Sequence, residues 1–373
     1  MTFNVPNMAK LPGAVRDLIV SYHELNSTII DELHEEPSPL EFMRYVARNR
    51  PFVVRKGAES WTARKVWNAK YMVDVMGRQL VNVAVTPHGN ADSVIELEDD
   101  GLLFVKPYDT EEPFNKLLEK IQEKERQGID GPGPTRYAQT QNDNLRNEYM
   151  PLFSDLPKDI PFARIALEKS PDAINLWLGN SCSITALHKD NYENIYVQVL
   201  GQKHFTLLPP IECACVNEQL IPAATYQPRE PVTPESPRSP SVTSDISMSS
   251  SQVRPAMTHD EVLDDLVVCL DEPEENVPFA TWDPDVPDRR ATPFSQYSRA
   301  MRVTLDEGDM LYLPALWYHK VAQSVSSEGI CCAVNYWYDL EFSGSFWPLC
   351  SLARGVGLLT LGRDPRDGEE DDG

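Results

Sequence analysis

The chain has 373 residues, 41% of them apolar and including 7 Trp, 14 Tyr and 12 Phe, which is enough to pack a sizeable core in one or two domains. Its 34 basic and 57 acidic side chains leave a formal charge of −23, which argues against a nucleic-acid surface and allows attraction to basic proteins or lysine-rich segments, with solubility as the alternative reading. No run of eighteen apolar residues and no basic-then-apolar leader over Met1 to Pro12 is present, so neither a membrane span nor secretion is indicated; the expected compartment is the cytoplasm, with the nucleus as the alternative.

In chain order, the apolar spacing of Val15, Leu18, Ile19, Tyr22, Leu25, Ile29, Ile30 and Leu33 predicts one or two helices between about residues 15 and 35. Ser38-Pro-Leu-Glu41 reads as a capping box with proline at the first helical position, opening a helix that runs to about Arg48. Phe52 to Arg55 is expected as a strand, and Trp67 to Met76 as a helix closed by Gly77. Leu80 to Thr86 and Leu102 to Val105 read as strands, and Glu111 to Gln127 as an amphipathic helix. Residues 1–135 are therefore an α+β support region.

The catalytic region is placed at 136–345. It opens on a polar-alternating strand, Arg136 to Gln141, and Pro161 confines a short helix to Phe162–Leu167. Eight strand-like runs follow, near 173–178, 183–188, 193–200, 203–208, 300–305, 309–313, 317–324 and 330–338, with turns at Gly179-Asn180, Lys189 to Asn191, Gly201-Gln202 and Asp306 to Gly308. Short strands with turns at this spacing predict a mainly β protein with flanking helices, a double-sheet jelly roll of the cupin type. Between the fourth and fifth runs, Pro228 to Pro255 is rich in Pro and Ser and has almost nothing to bury; it is expected to be a disordered insertion, a passive linker or a phosphorylated one. Thr258-x-x-Glu261 is expected to cap a short helix over 259–268. A closing helix is drawn over 346–361, which also offers a homodimer contact, and the acidic tail 363–373 is expected to be solvated. Seven cysteines without a C-x-x-C pair suit reduced core thiols rather than disulfides or structural zinc.

The chemistry concentrates in two of the barrel runs. His188 and Asp190 are two apart, so on an extended backbone both side chains leave one face, the geometry that two ligands of one metal ion need. His319 lies 129 positions after Asp190, on the seventh run, which a jelly roll brings beside the second. Two histidines and one carboxylate form a facial triad that leaves the opposite side of the ion open to cosubstrate and dioxygen. An isolated His-x-Asp arises by chance, and it is the neighbours that give it weight. Lys203 stands in the apolar run with Phe205, Leu207 and Leu208, where an ammonium is costly unless an anion meets it. A dicarboxylate cosubstrate would be that anion.

These segments resemble the Jumonji-C (JmjC) oxygenases. The resemblance is carried by Val83–Gly89, Pro171–Gly179, Leu187–Asp190, Tyr192–Tyr196, Gly201–Phe205, Gly308–His319 and Ala333–Asp339, in the family's order along most of the chain. It implies a JmjC double-stranded β-helix using Fe(II), 2-oxoglutarate and dioxygen, with His188, Asp190 and His319 as metal ligands and Lys203 on the distal carboxylate of the cosubstrate. The same resemblance implies cosubstrate or substrate contacts for Thr185, Tyr137, Asn194, Asn335 and Tyr196, with packing as the alternative for Tyr137 and Tyr196. Thr185 is three residues before His188, on the opposite face of a regular strand, so that role requires a bend or bulge. Within the family, aspartate in the middle ligand position resembles the protein hydroxylases. The implied reaction is lysyl C-3 hydroxylation of a protein substrate, a developmentally regulated GTP-binding protein of the translation-factor class. The alternatives are an endopeptidase or demethylase acting on methylated histone tails and a non-catalytic cupin-like binding module. No H-E-x-x-H helix accompanies the triad, which weighs against the peptidase.

Overall fold

The computed structural model describes residues 10–97, 101–141, 143–229 and 266–366. A helix over Leu11–Leu25 is followed by β1 (Asp31–Leu33). The capping box forms as expected: the Glu41 N–H donates to the Ser38 hydroxyl, and the Ser38 N–H donates to the Glu41 carboxylate at 2.8 Å, opening the helix Pro39–Arg48 before β2 (Phe52–Val54). The helix expected from Trp67 to Met76 forms from Ala69 to Met76, and a separate short helix that was not expected, Thr62–Val66, precedes it. The break between the two falls where the Asn68 side chain accepts the Tyr71 N–H at 2.8 Å and so starts a new helix. After Gly77 come β3 (Leu80–Thr86), β4 (Ser93–Glu96), β5 (Leu102–Lys106) and β6 (Tyr108–Pro113). Glu111 to Pro113 are therefore strand rather than helix, since they pair with Leu80 to Asn82 and the helix Phe114–Gln127 begins only beyond Pro113. β7 (Thr135–Tyr137) is followed by a helix that starts at Pro161 itself, where a missing N–H leaves no helical bond unmade.

The eight expected runs are all strands: β8 (Ala173–Gly179), β9 (Thr185–His188), β10 (Tyr192–Leu200) and β11 (Gln202–Leu208), and, after the insertion, β15 (Met301–Leu305), β16 (Met310–Leu313), β17 (Tyr318–Ser324) and β18 (Cys331–Asp339). They form two facing sheets, β1-β2-β16-β10-β18-β8 and β15-β11-β17-β9. Between the sheets lie Val53, Tyr196, Phe205, Leu207, Leu311, Leu313, Trp317 and Val321, while Val197, Tyr312 and Tyr336 on the other face of the larger sheet pack with Phe42 and Phe114 of the front region and with Tyr149. This double burial explains why β10, β16 and β18 are buried along almost their whole length. The mainly β jelly roll with flanking helices is as expected, and β1 and β2 extend its larger sheet. The closing helix spans Phe346–Thr360.

The insertion holds structure that sequence reading missed. β12 (Glu218–Pro228) pairs with β13 (Leu266–Leu270), with β14 (Asn276–Ala280) and, in parallel, with β5. Pro228, expected to begin a disordered segment, ends β12 and pairs with Leu266; of that segment, residues 230–255 lie outside the described residues. Leu266 to Val268, expected at the end of a helix, are strand because β12 offers them a ladder of backbone partners; residues 259–265 and the tail from 367 also lie outside the described residues.

Candidate metal centre

β9 and β17 are antiparallel neighbours in the smaller sheet, and their register sets His188 directly opposite His319, with ring centroids 4.1 Å apart. Val321 stands opposite Thr185, so three steps along β9 match two along β17. This is the bulge that the spacing required, and it turns Thr185 into the cleft that His188 enters. Asp190 lies just past the end of β9, where its main-chain oxygen accepts the Leu316 N–H at 2.8 Å. Its Oδ2 is 3.8 Å from His188 Nε2 and 3.6 Å from His319 Nε2, and the three ligand atoms all lie within 4.8 Å of one another.

The second nitrogen of each ring sets its tautomer. His188 Nδ1 donates to the Ala186 carbonyl at 2.8 Å and His319 Nδ1 to the Trp317 carbonyl at 3.0 Å, which leaves both Nε2 lone pairs facing Asp190. Burial, with a contribution from His188, pushes the His319 pKa down to about 4 against the pull of Asp190, so its ring is neutral at physiological pH and its Nε2 lone pair carries no proton. Two imidazoles that present Nε2 and one carboxylate, clustered on one side, fit an octahedral divalent metal with its other face open.

Lys203, on β11, is 2% exposed and donates to the Tyr137 hydroxyl at 2.9 Å. Burial works against its charge, but the Tyr137 and Tyr196 hydroxyls more than offset this, so the lysine stays an ammonium. Among the described residues no carboxylate pairs with it. A buried ammonium that faces the cleft of the triad without an acid partner fits the distal carboxylate of a dicarboxylate cosubstrate. Every site residue expected from the sequence lines this one cleft: Tyr137, Thr185, His188, Asp190, Asn194, Tyr196, Lys203, His319 and Asn335. Asn335 donates to Asn194 at 3.3 Å and accepts from the Trp177 indole at 3.0 Å, which orients both amides. Tyr196 both packs against Phe205 and reaches the cleft. His204 is on the other side of its strand, bonded to Thr304 and Ser324, as its neighbour's burial requires.

Sequence reading missed Asp92, Gln139, Trp177 and Trp337, which line the same cleft. Asp92 arrives on the turn between β3 and β4, and Gly89 of that turn is pressed onto the approach to β9: a Cβ there would lie 1.9 Å from the Cys182 carbonyl oxygen, and the Ile184 N–H donates to the Gly89 carbonyl at 2.9 Å. Only the Val83–Gly89 segment pointed towards this turn, and nothing in it marks Asp92.

A jelly roll that holds two histidines and an aspartate at one end, with a buried lysine in the same cleft, defines a cupin-type metal-dependent oxygenase. Residues 37–344 match the family described as a cupin-like domain. The chain is 35% identical to the bifunctional peptidase and (3S)-lysyl hydroxylase JMJD7 of Homo sapiens over 355 residues, 94% of this chain and 96% of that protein. It is 32% identical to the lysine-specific demethylase JMJ32 of Arabidopsis thaliana, over 84% of this chain and 83% of that one. To the JmjC domain-containing protein E of Dictyostelium discoideum it is 29% identical, over 83% of each. The chain belongs to the cupin-like JmjC family, whose members are 2-oxoglutarate-dependent oxygenases, and membership implies Fe(II) and 2-oxoglutarate.

Proposed function

We propose that this protein is an Fe(II)- and 2-oxoglutarate-dependent hydroxylase that adds a hydroxyl group to C-3 of a lysine side chain in a protein substrate, a developmentally regulated GTP-binding protein of the translation-factor class. The observation that carries this is the buried Lys203 ammonium in the same cleft as the His188, Asp190, His319 cluster. When bound, the metal and 2-oxoglutarate supply the oxygen chemistry: dioxygen gives one atom to the substrate C–H bond and one to succinate, with release of carbon dioxide.

The chain's own residues do the positioning. His188, Asp190 and His319 would hold the metal by Nε2, a carboxylate oxygen and Nε2. Lys203, with the Tyr137 and Thr185 hydroxyls, would hold the distal carboxylate. Asn194 and Asn335, fixed by Trp177, present amides beside it. Trp177, Phe205 and Val321 line the cleft with apolar surface that keeps water from competing for these contacts. The likeness to a lysyl hydroxylase over nearly the whole chain supports lysine as the target, and the formal charge of −23 supports a basic segment as the partner. Free thiols at all seven cysteines support a reducing compartment, the cytoplasm or the nucleus. Exposed Leu349, Leu352 and Leu359 on the closing helix support a homodimer contact.

The test is mass spectrometry of a lysine peptide from such a GTP-binding protein after incubation with the protein, Fe(II), 2-oxoglutarate and oxygen. The expected product carries one added oxygen on the lysine side chain, and Asp190→Ala gives none. Loss of methyl groups from a methylated peptide would make the protein a demethylase instead. Backbone cleavage that persists without 2-oxoglutarate would make it a peptidase.

A further inference from the structure

We propose that Asp92 selects the substrate: its carboxylate receives the ammonium of the lysine whose aliphatic chain enters the cleft. This rests on the hydroxylase reading above, and it names the anchor which that reading needs and the triad does not provide.

Two carboxylates line the cleft, Asp190 and Asp92. Asp190 belongs to the compact metal-ligating cluster and Asp92 does not, so Asp92 is free of metal duty. It is half-buried, and one oxygen accepts from the Gln139 side chain at 3.1 Å. Among the described residues no cation lies within ion-pair distance of it: His188 and Lys106 act on it from farther off, the first belonging to the metal-ligating cluster and the second paired with Asp271 at 2.6 Å. A partly desolvated carboxylate with one neutral donor and no counter-charge is a site for a cation. Lys203, the cation inside the cleft, is engaged by Tyr137 instead.

The position of Asp92 is built rather than incidental. Its φ of 49° is in the left-handed region, which a non-glycine residue adopts at a cost and keeps only where its surroundings hold it. They do so at several points. Gly89 is clamped onto Cys182 and Ile184, the Ser93 hydroxyl donates to the Asn90 carbonyl at 2.6 Å, and the Asn90 side chain donates to the Tyr226 hydroxyl at 3.2 Å. The turn is thus fastened to the segment that leads into His188. Beside it, Trp177 and Trp337 give the cleft aromatic walls suited to four methylene groups. The buried Trp337 indole N–H has no acceptor among the described residues, which leaves it available to a peptide carbonyl.

The proposal is tested by titrating the full chain, loaded anaerobically with Mn(II) and 2-oxoglutarate, with three peptides that differ at one position: lysine, Nε-acetyl-lysine or norleucine. The wild type is expected to prefer lysine. Asp92→Asn is expected to lose roughly 10- to 100-fold in affinity for the lysine peptide, as removal of a charge-assisted hydrogen bond does, with norleucine, Mn(II) and 2-oxoglutarate binding unchanged. Asp92→Glu, which keeps the charge one methylene away, retains the lysine preference at reduced affinity. A lysine preference that survives in Asp92→Asn overturns the assignment, as does a wild type without one. Loss of Mn(II) binding in both variants also overturns it, because Asp92 then serves the turn and not the substrate. The hydroxylase reading fails separately: a lysine peptide that binds through Asp92 but gains no oxygen in air sinks that reading and leaves the anchor standing.

Discussion

Lys203 is a charge that folding removes from water without giving it an acid, and the same strand holds Phe205 and Leu207 in the interior beside it. This pattern was legible in the sequence because alternation on a strand puts residues 203, 205 and 207 on one face. The triad was legible for a related reason, a two-residue spacing followed by a histidine on a strand that the jelly roll places alongside. Asp92 was not, since nothing local distinguishes an aspartate in a turn from any solvated one. Lys203→Ala is expected to keep the metal and to weaken 2-oxoglutarate binding by about 3–5 kcal/mol, the cost of leaving one member of a buried charge pair alone. Calorimetric titration of the Mn(II)-loaded variant measures it, and an unaltered affinity would show that the cosubstrate carboxylate is held elsewhere.

At the level of elements, the strands and turns of the barrel could be read because each has its own hydrophobic period and glycine signal. Gly201 and Gly308 do occupy turns with φ of 74° and 92°. What failed were the places where a partner outside the element decides: β12 to β14 form a sheet with β4 and β5 from the front of the chain, and a proline-rich stretch interrupts their pattern. The β9 bulge was required by the Thr185 spacing but could not be located without β17. The contact between Gly89 and Cys182 is another such element-to-element decision. Gly89→Ala places a Cβ into the Cys182 carbonyl and strains a backbone of φ 69°, so urea unfolding should show a loss of about 2–4 kcal/mol. The displaced turn should also weaken the lysine-peptide preference assigned to Asp92. A wild-type midpoint together with wild-type selectivity would mean that the turn is not held at this point.

For the molecule as a whole, the described strands that flank the insertion, β12 and β13, belong to the third sheet and not to the barrel ladder. β12 and β13 pair up to Pro228 and Leu266, which are neighbours across the sheet. Replacing residues 231–264 with a short Gly-Ser turn should therefore move the melting temperature by no more than about 1–2 °C, the shift that roughly 1 kcal/mol produces in a chain of this size, and leave succinate formation intact. A larger loss would mean that this proline- and serine-rich stretch buries surface after all. By itself the sequence determined the barrel strands, the helix capped at Ser38, the clustering of His188, Asp190 and His319 and the buried lysine, because each is written in spacing over a few residues and in the cost of burying charge. The tertiary structure alone decided which turn faces the triad, where the bulge falls and which strands complete the third sheet. Those depend on contacts between segments roughly a hundred residues apart, whose partners no local period can specify.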